Sequence, residues 1–134
     1  MIDVHTHILP GIDDGAKTPS IGAELLRLDL EQGVKEVVFT PHYYGKKRHW
    51  KEFLRDRETS FNQIKELVPA GMKTRLGAEV FMSGINDPTN EGLCALAIEG
   101  TKCVLMEFPF LGNGNGIFLI VSLSLLKKRN IDLL

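Results

Sequence analysis

The sequence lacks most of the features that would place a chain in a common functional class at sight. It has only two cysteines in 134 residues, Cys94 and Cys103. That is too few for a disulfide framework, and both lie in apolar contexts suited to a reducing compartment. Long hydrophobic runs are missing too. The most apolar stretch, Ile117 to Leu126, is interrupted by Ser122 and Ser124 and reaches roughly half a membrane span. Neither sign of charge dominates: 16 Lys and Arg stand against 17 Asp and Glu, a net charge of −1, which argues against a sequence-independent nucleic-acid binder. At 43% hydrophobic and 25% charged, the composition is that of a folded domain and not of a disordered chain. Gly112 to Gly116 lacks the Lys-Ser/Thr that would follow in a phosphate-binding Walker loop, so the stretch reads as a plain loop. Ligand-type residues begin at Asp3, so no signal peptide is read, and a cytoplasmic protein without membrane insertion is expected.

What the sequence does contain is concentrated at its start: Asp3-Val4-His5-Thr6-His7, then Leu9-Pro10-Gly11-Ile12-Asp13-Asp14-Gly15. On an extended strand, side chains alternate with period two, so His5 and His7 share one side. Two imidazoles with carboxylates close behind suit Zn²⁺, Mn²⁺ or Fe²⁺ better than the oxygen-seeking Ca²⁺ and Mg²⁺. Taken alone, a His-x-His pair could as well be two surface residues on an edge strand. The pattern recurs, however. Lys35 to Thr40 reads as a strand closed by Pro41, and His42 follows at once. Lys73 to Phe81 reads as a strand with Glu79 deep in an apolar stretch, and Cys103 to Pro109 repeats the arrangement around Glu107. A carboxylate inside a buried strand costs several kcal/mol unless a cation or hydrogen bonds compensate it. Two such glutamates beside three strand-end histidines point to one shared metal centre.

The remaining pattern alternates strands with helices. Thr18 is a suitable N-cap with Pro19 behind it, and Ile21, Leu25 and Leu28 give an apolar stripe running toward Gly33. A basic loop, Gly45 to Arg48, precedes a helix over Trp50 to Val68, with Leu54, Phe61, Ile64 and Val68 on one face. Ser83 to Glu91 is loop-like, Leu93 to Ile98 is a short apolar piece, and a helix is expected from Gly116 to near Lys128. Such alternation implies a parallel sheet or β/α barrel with functional groups at the C-terminal ends of strands.

The motifs quoted above, with Thr40-Pro41-His42, Gly77-Ala78-Glu79 and Met106-Glu107-Phe108, resemble the PHP (polymerase and histidinol phosphatase) superfamily. Within it they are most similar to the manganese-dependent tyrosine-protein phosphatases of bacterial capsule and exopolysaccharide operons. The resemblance runs from Met1 to about Pro109. It implies a distorted, TIM-like β/α barrel holding up to three divalent ions, manganese first, with iron, zinc or magnesium as alternatives. His5, His7, Asp14, His42, Glu79 and Glu107 take the ligand positions, with Glu107 bridging two ions. Asp13 shapes the loop or supports a ligand from behind instead of ligating, and Asp3 is likewise a candidate partner for a ligating imidazole. The family continues with a His-Pro-Glu-Arg-like segment and an Asp-x-His pair. Residues 1–134 therefore correspond to the N-terminal portion of a single catalytic domain, its C-terminal half absent, and at most residual activity is expected of them alone.

The implied reaction is phosphoester hydrolysis by water activated at the ions, on phosphotyrosine of a protein such as a bacterial tyrosine kinase. A covalent cysteine route does not fit, because six positions after Cys94 and Cys103, where Cys-x5-Arg needs arginine, stand Gly100 and Pro109. A small-molecule phosphatase of the histidinol-phosphate type and an inactive metal-binding fragment are the competing readings. Lys46, Lys47 and Arg48 are either a solvated loop or a patch attracting an acidic phosphopeptide. Tyr43, Tyr44 and Trp50 either pack or frame a substrate groove. A homo-oligomer is left open.

Overall fold

The computed structural model describes residues 1–109 and 116–124. The loop read at Gly112 to Asn115 and the segment from Leu125 to Lys128 lie outside the described residues. Helices begin where end chemistry directs them. In α1 (Pro19–Glu31) the Thr18 side chain accepts the Ile21 N–H at 3.3 Å, and proline occupies the first turn, where a missing N–H costs nothing. Gly33, at φ +87° just beyond the helix, takes the left-handed conformation that ends helices cheaply in glycine. His49 caps α2 (Trp50–Ile64), its Nδ1 accepting the Lys51 N–H at 3.2 Å, and a short 3-10 turn, Lys65–Leu67, finishes it. Thr89 caps the short α3 (Asn90–Leu96).

The buried faces of the two long helices differ from the hydrophobic stripes in the sequence. Ile21, Leu25 and Leu28 remain 46%, 37% and 39% exposed, while Gly22 and Leu26 are buried. The cause is close approach. A Cβ on Gly22 would stand 2.4 Å from Ile64 Cδ1 and 2.7 Å from the Ile8 carbonyl. The helix is thus seated on a residue that a count of apolar side chains ignores. In α2 the inward side carries Phe53, Ser60 and Ile64, with Leu54 and Phe61 only partly buried.

The strands form two sheets. β1 (Ile2–Thr6), β2 (Glu36–Phe39) and β4 (Lys73–Leu76) pair in parallel in the order β1-β2-β4. β3 (His42–Tyr43), β5 (Glu79–Phe81), β6 (Cys103–Phe108) and β7 (Ile117–Ser122) make a second sheet in the order β3-β5-β6-β7, with β7 antiparallel to β6. The single strand expected over Lys73 to Phe81 is therefore two strands in different sheets, divided at Gly77-Ala78. The chain changes sheet at a matching point between β2 and β3. Hydrogen bonds bridge both breaks: Gly77 N–H donates to the Phe39 carbonyl at 2.8 Å, and Glu79 N–H to the Pro41 carbonyl at 3.0 Å. Just beyond these two crossings stand His42 and Glu79.

The helix expected after Gly116 is corrected by the structure, because Ile117–Ser122 form strand β7. A short apolar run has no periodicity to separate helix from strand, and the β-branched and aromatic residues here find an open edge on β6. Ile117 to Ile120 remain 45–50% exposed. Elsewhere the core has two clusters. One, around Leu9, Leu26, Val37, Phe39 and Ile64, belongs to the first sheet; the other, around Phe53, Val80, Leu93, Val104 and Met106, belongs to the second. Phe53 and Ile64 both come from α2, which joins the two clusters. Each such fully buried side chain contributes about 1.5–3 kcal/mol relative to exposure. Among the described residues no helix is long and apolar enough to cross a membrane.

Candidate metal centre

The loop after β1 is folded tightly on itself. Ala16 N–H donates to the His7 carbonyl at 2.9 Å, and Gly11 N–H to the Ala16 carbonyl at 2.8 Å. Gly15 is required by space, since a Cβ there would lie 2.0 Å from the His7 carbonyl oxygen. This fold-back brings Asp13 under His7. Asp13 Oδ2 accepts from His7 Nδ1 at 2.8 Å and from the His42 N–H at 3.0 Å, while Oδ1 accepts from the Gly15 N–H at 2.9 Å. From α2, Ser60 Oγ donates to the Pro10 carbonyl at 2.7 Å, holding the same loop from behind.

Glu79 is the centre of the arrangement. It is 1% exposed, and its Oε2 lies 2.8 Å from His5 Nε2, 3.0 Å from His7 Nε2 and 3.3 Å from His42 Nδ1. His5 Nε2 and His7 Nε2 are 3.2 Å apart, and His42 Nε2 is 3.4 Å from Asp14 Oδ1. All six side chains given ligand positions by the family resemblance come together, in three overlapping groups: His5, His7 and Glu79; His7, Asp14 and His42; and His42, Glu79 and Glu107. Within each group the donor atoms lie within 4.8 Å of one another.

The electrostatics reflect this crowding. Hydrogen bonds to Asp13 and then Glu79 raise His7 from its ordinary 6.5 to about 10. Burial pulls Asp13 upward, but hydrogen bonds from His7, Gly15 and His42 outweigh it and bring the carboxyl to about 2. An ionised Asp13 can only accept, so His7 Nδ1 carries the hydrogen and Nε2 faces Glu79 and His5. Glu79 is likewise lowered, the hydrogen bonds from His7 and His5 outweighing burial. Glu107 is raised, by burial and by the neighbouring Glu79 charge.

Other expected residues fall less simply. The register of β1 on β2 shifts between Asp3 and Thr6, and Asp3 Oδ1 accepts the His5 backbone N–H at 3.1 Å instead of meeting its ring. The Asp3 carboxylate is thus engaged by the strand's own backbone at the register shift. Lys47 and Arg48 border a cavity of about 440 Å³ beside Asp14 and His42, whereas Lys46 is exposed outside its lining. Tyr44 borders the cavity and stacks on His42, while Tyr43 is buried against Phe53. Period-two alternation from His42 separates these tyrosines without a structure. Arg57 has no sequence signal at all. It is partly buried on α2, its Nε fully so, and donates from Nη1 to the Gly77 carbonyl at 2.7 Å, at the crossing that leads to Glu79.

The donor set fits divalent transition ions, since imidazole and carboxylate together are their ordinary ligands. The buried His42 Nδ1 has no hydrogen-bond partner, and three imidazole nitrogens converge on one carboxylate oxygen. An unpartnered buried imidazole nitrogen is costly unless a cation takes its lone pair.

Comparison with known proteins gives a consistent picture. Residues 1–119 match the family described as capsular polysaccharide synthesis, CpsB/CapC. The tyrosine-protein phosphatase YwqE of Bacillus subtilis (strain 168) is 33% identical over 113 residues, 82% of this chain and 44% of its own length. CapC of Staphylococcus aureus is 31% identical over 115 residues, 81% of this chain and 43% of its own. A crystal structure from the study of YwqE and of CpsB from Streptococcus pneumoniae, described as unique metal-dependent tyrosine phosphatases, superposes with a TM-score of 0.57 at 29% identity, over 82% of this chain and 45% of that one. The chain thus spans under half the length of the curated relatives it matches.

Proposed function

Because this chain belongs to the CpsB/CapC family of capsular polysaccharide synthesis, we propose that it is part of a metal-dependent protein-tyrosine phosphatase. Its substrate is a phosphotyrosyl protein, a cytoplasmic tyrosine kinase of capsule or exopolysaccharide synthesis. The observation that carries this reading is Glu79, buried and within 2.8–3.3 Å of imidazole nitrogens from three histidines. His5, His7, Asp14, His42, Glu79 and Glu107 hold the ions, manganese by family resemblance. Glu79 belongs to two of the three donor groups and Glu107 to one, so both carboxylates would help hold the ions, Glu79 from the more central place. The two adjoining sheets are read as neighbouring arcs of a distorted β/α barrel of PHP type, residues 1–134 being the N-terminal portion of one catalytic domain.

Bound divalent ions supply the charge that binds phosphoryl oxygens and lowers the pKa of water. The chain's own groups prepare that site. Asp13 fixes the His7 ring with its Nδ1 hydrogen bonded, leaving Nε2 free to ligate, as the outer partner of a metal histidine does. Asp13 also holds the His42 backbone, so one carboxylate sets two ligands. Neither cysteine approaches the site's chemistry: Cys94 is exposed on α3 and Cys103 lies at the start of β6. The test is hydrolysis of a phosphotyrosyl peptide and of histidinol phosphate by the protein containing this chain. Turnover of the peptide should be abolished by chelator and by His5→Ala, and should persist when both cysteines are replaced by serine. Turnover indifferent to chelator, or confined to histidinol phosphate, would falsify the proposal.

A further inference from the structure

The cavity beside the donor cluster has a wall that the metal chemistry does not use. Its lining includes Ile12, Asp14, His42, Tyr44, Lys47 and Arg48. Tyr44 stacks on His42, with ring centroids 5.3 Å apart and planes 24° from parallel, and is braced by Phe81 at 5.5 Å. Lys47 Nζ lies 4.7 Å from the centre of the Tyr44 ring, a cation–π contact that holds the ammonium over the ring. The backbone fixes this placement. The Lys47 and Arg48 N–H groups both donate to the Tyr44 carbonyl, at 2.9 and 3.4 Å. A Cβ on Gly45 would strike the Asn86 carbonyl at 1.8 Å, so the turn is pinned against the neighbouring loop.

The two cations are not equivalent. Arg48 is paired with Asp56 and lies 5.1 Å over the Phe53 ring, and among the described residues only Arg48 of the two makes an ion pair. Lys47 is the cation left to meet a ligand. It contacts Tyr44, which contacts His42, so its charge stands one aromatic ring out from the donor cluster. A phosphoryl group held at the cluster would be separated from its peptide by one aromatic ring as well. Resting on the phosphatase reading above, we infer that Tyr44 and Lys47 form the subsite for an acidic phosphotyrosyl peptide: Tyr44 lies along the substrate side chain, and Lys47 takes a carboxylate that flanks the phosphotyrosine. Asp13 and Asp14 border the same cavity, but Asp13 is engaged by His7 and two backbone N–H groups, and Asp14 belongs to a donor group, where a bound cation would offset its charge.

The experiment is binding of two labelled peptides to the manganese-loaded protein, read by fluorescence anisotropy. Both carry a non-hydrolysable difluoromethylphosphonate in place of phosphotyrosine; one has glutamates on either side and the other glutamines. The unaltered protein should bind the acidic peptide about tenfold more tightly, an energy of about 1.4 kcal/mol. Lys47→Gln should abolish that preference and Lys47→Glu reverse it, while Lys46→Gln, outside the cavity lining, should leave it intact. With the hydrolysable acidic peptide, Lys47→Gln should raise KM more than it lowers kcat. Equal binding of the two peptides by the unaltered protein, or a preference that survives Lys47→Glu, overturns the inference. Binding preference without hydrolysis of any phosphotyrosyl peptide would support the subsite and refute the phosphatase reading. Hydrolysis without the preference would do the opposite.

Discussion

The two long helices use the same scaffold in opposite ways. α2 sends Phe53 into one core cluster and Ile64 into the other. Between them it places two polar residues, Arg57 and Ser60, that donate to the Gly77 and Pro10 carbonyls. Those carbonyls belong to the segments that deliver Glu79 and Asp13. α1 buries only Gly22 and Leu26 and leaves Ile21, Leu25 and Leu28 exposed. Its side-chain hydrogen bonds among the described residues stay within its own cap and surface, the Ile21 N–H donating to Thr18 Oγ1 and Arg27 donating to its neighbours Glu24 and Glu31. On these helices, polar side chains that donate to carbonyls of distant segments mark the side that supports the site, and an apolar stripe does not mark the side that is covered.

The loop held by Ser60 should show the largest swing, with pH, in protein stripped of metal. His7 is raised to about 10, so its contribution to stability is complete below its ordinary 6.5 and is lost as pH climbs through 10. Asp13 is lowered to about 2, so its contribution is present above 3.8 and is lost as pH falls through 2. Denaturant midpoints in chelator should thus be highest at about pH 4–6.5 and decline on both sides. Bound metal should remove the alkaline decline, because His7 then holds an ion in place of a proton. An alkaline limb unchanged by metal would locate the proton elsewhere.

Substitutions sharpen the contrast between the helices. Leu26→Ala, at the seat of α1, should cost about 2–5 kcal/mol in urea unfolding, without altering metal affinity beyond the loss of folded protein. Arg57→Met keeps a long apolar stem against Phe53 but leaves the Gly77 carbonyl without its donor, at about 1–3 kcal/mol. Unlike Leu26→Ala, it should also lower metal affinity under conditions where the protein is fully folded, with Arg57→Lys restoring part of the loss. Ser60→Ala removes one hydrogen bond and should cost about 1 kcal/mol. Leu25→Gln, on the exposed stripe, should fall within about 0.5 kcal/mol of the parent. A Leu25 cost equal to that of Leu26 would mean that the stripe is covered in solution.

Much of the site was legible because its chemistry is local. His5 and His7 share a strand face by alternation, and proline closing a strand just before His42 marks the strand end. Glutamates inside apolar strands stand out by their cost. Helix starts were legible from Thr18-Pro19 for the same reason. What escaped depends on contacts between distant segments. The break at Gly77-Ala78 is made by two sheets meeting, and α1 is seated on Gly22 by Ile64 and Ile8. Arg57 is turned inward by a carbonyl twenty residues away, and β7 pairs where no period in its sequence separated strand from helix. Asp3 meets the His5 backbone N–H at a register shift in β1 that leaves no trace in residue types.

Glu79 would serve more than one of the ion sites. It belongs to two of the three donor groups, so its loss leaves only His7, Asp14 and His42 as a complete set. The most direct test is titration of the metal-free protein with Mn²⁺, counting tightly bound ions by elemental analysis after desalting, for the parent and for Glu79→Gln. The expected result is more than one ion per chain in the parent and no more than one in the variant, with the fold of both checked by circular dichroism. An unchanged count in a folded Glu79→Gln variant, or no tight binding by the parent, would contradict the account.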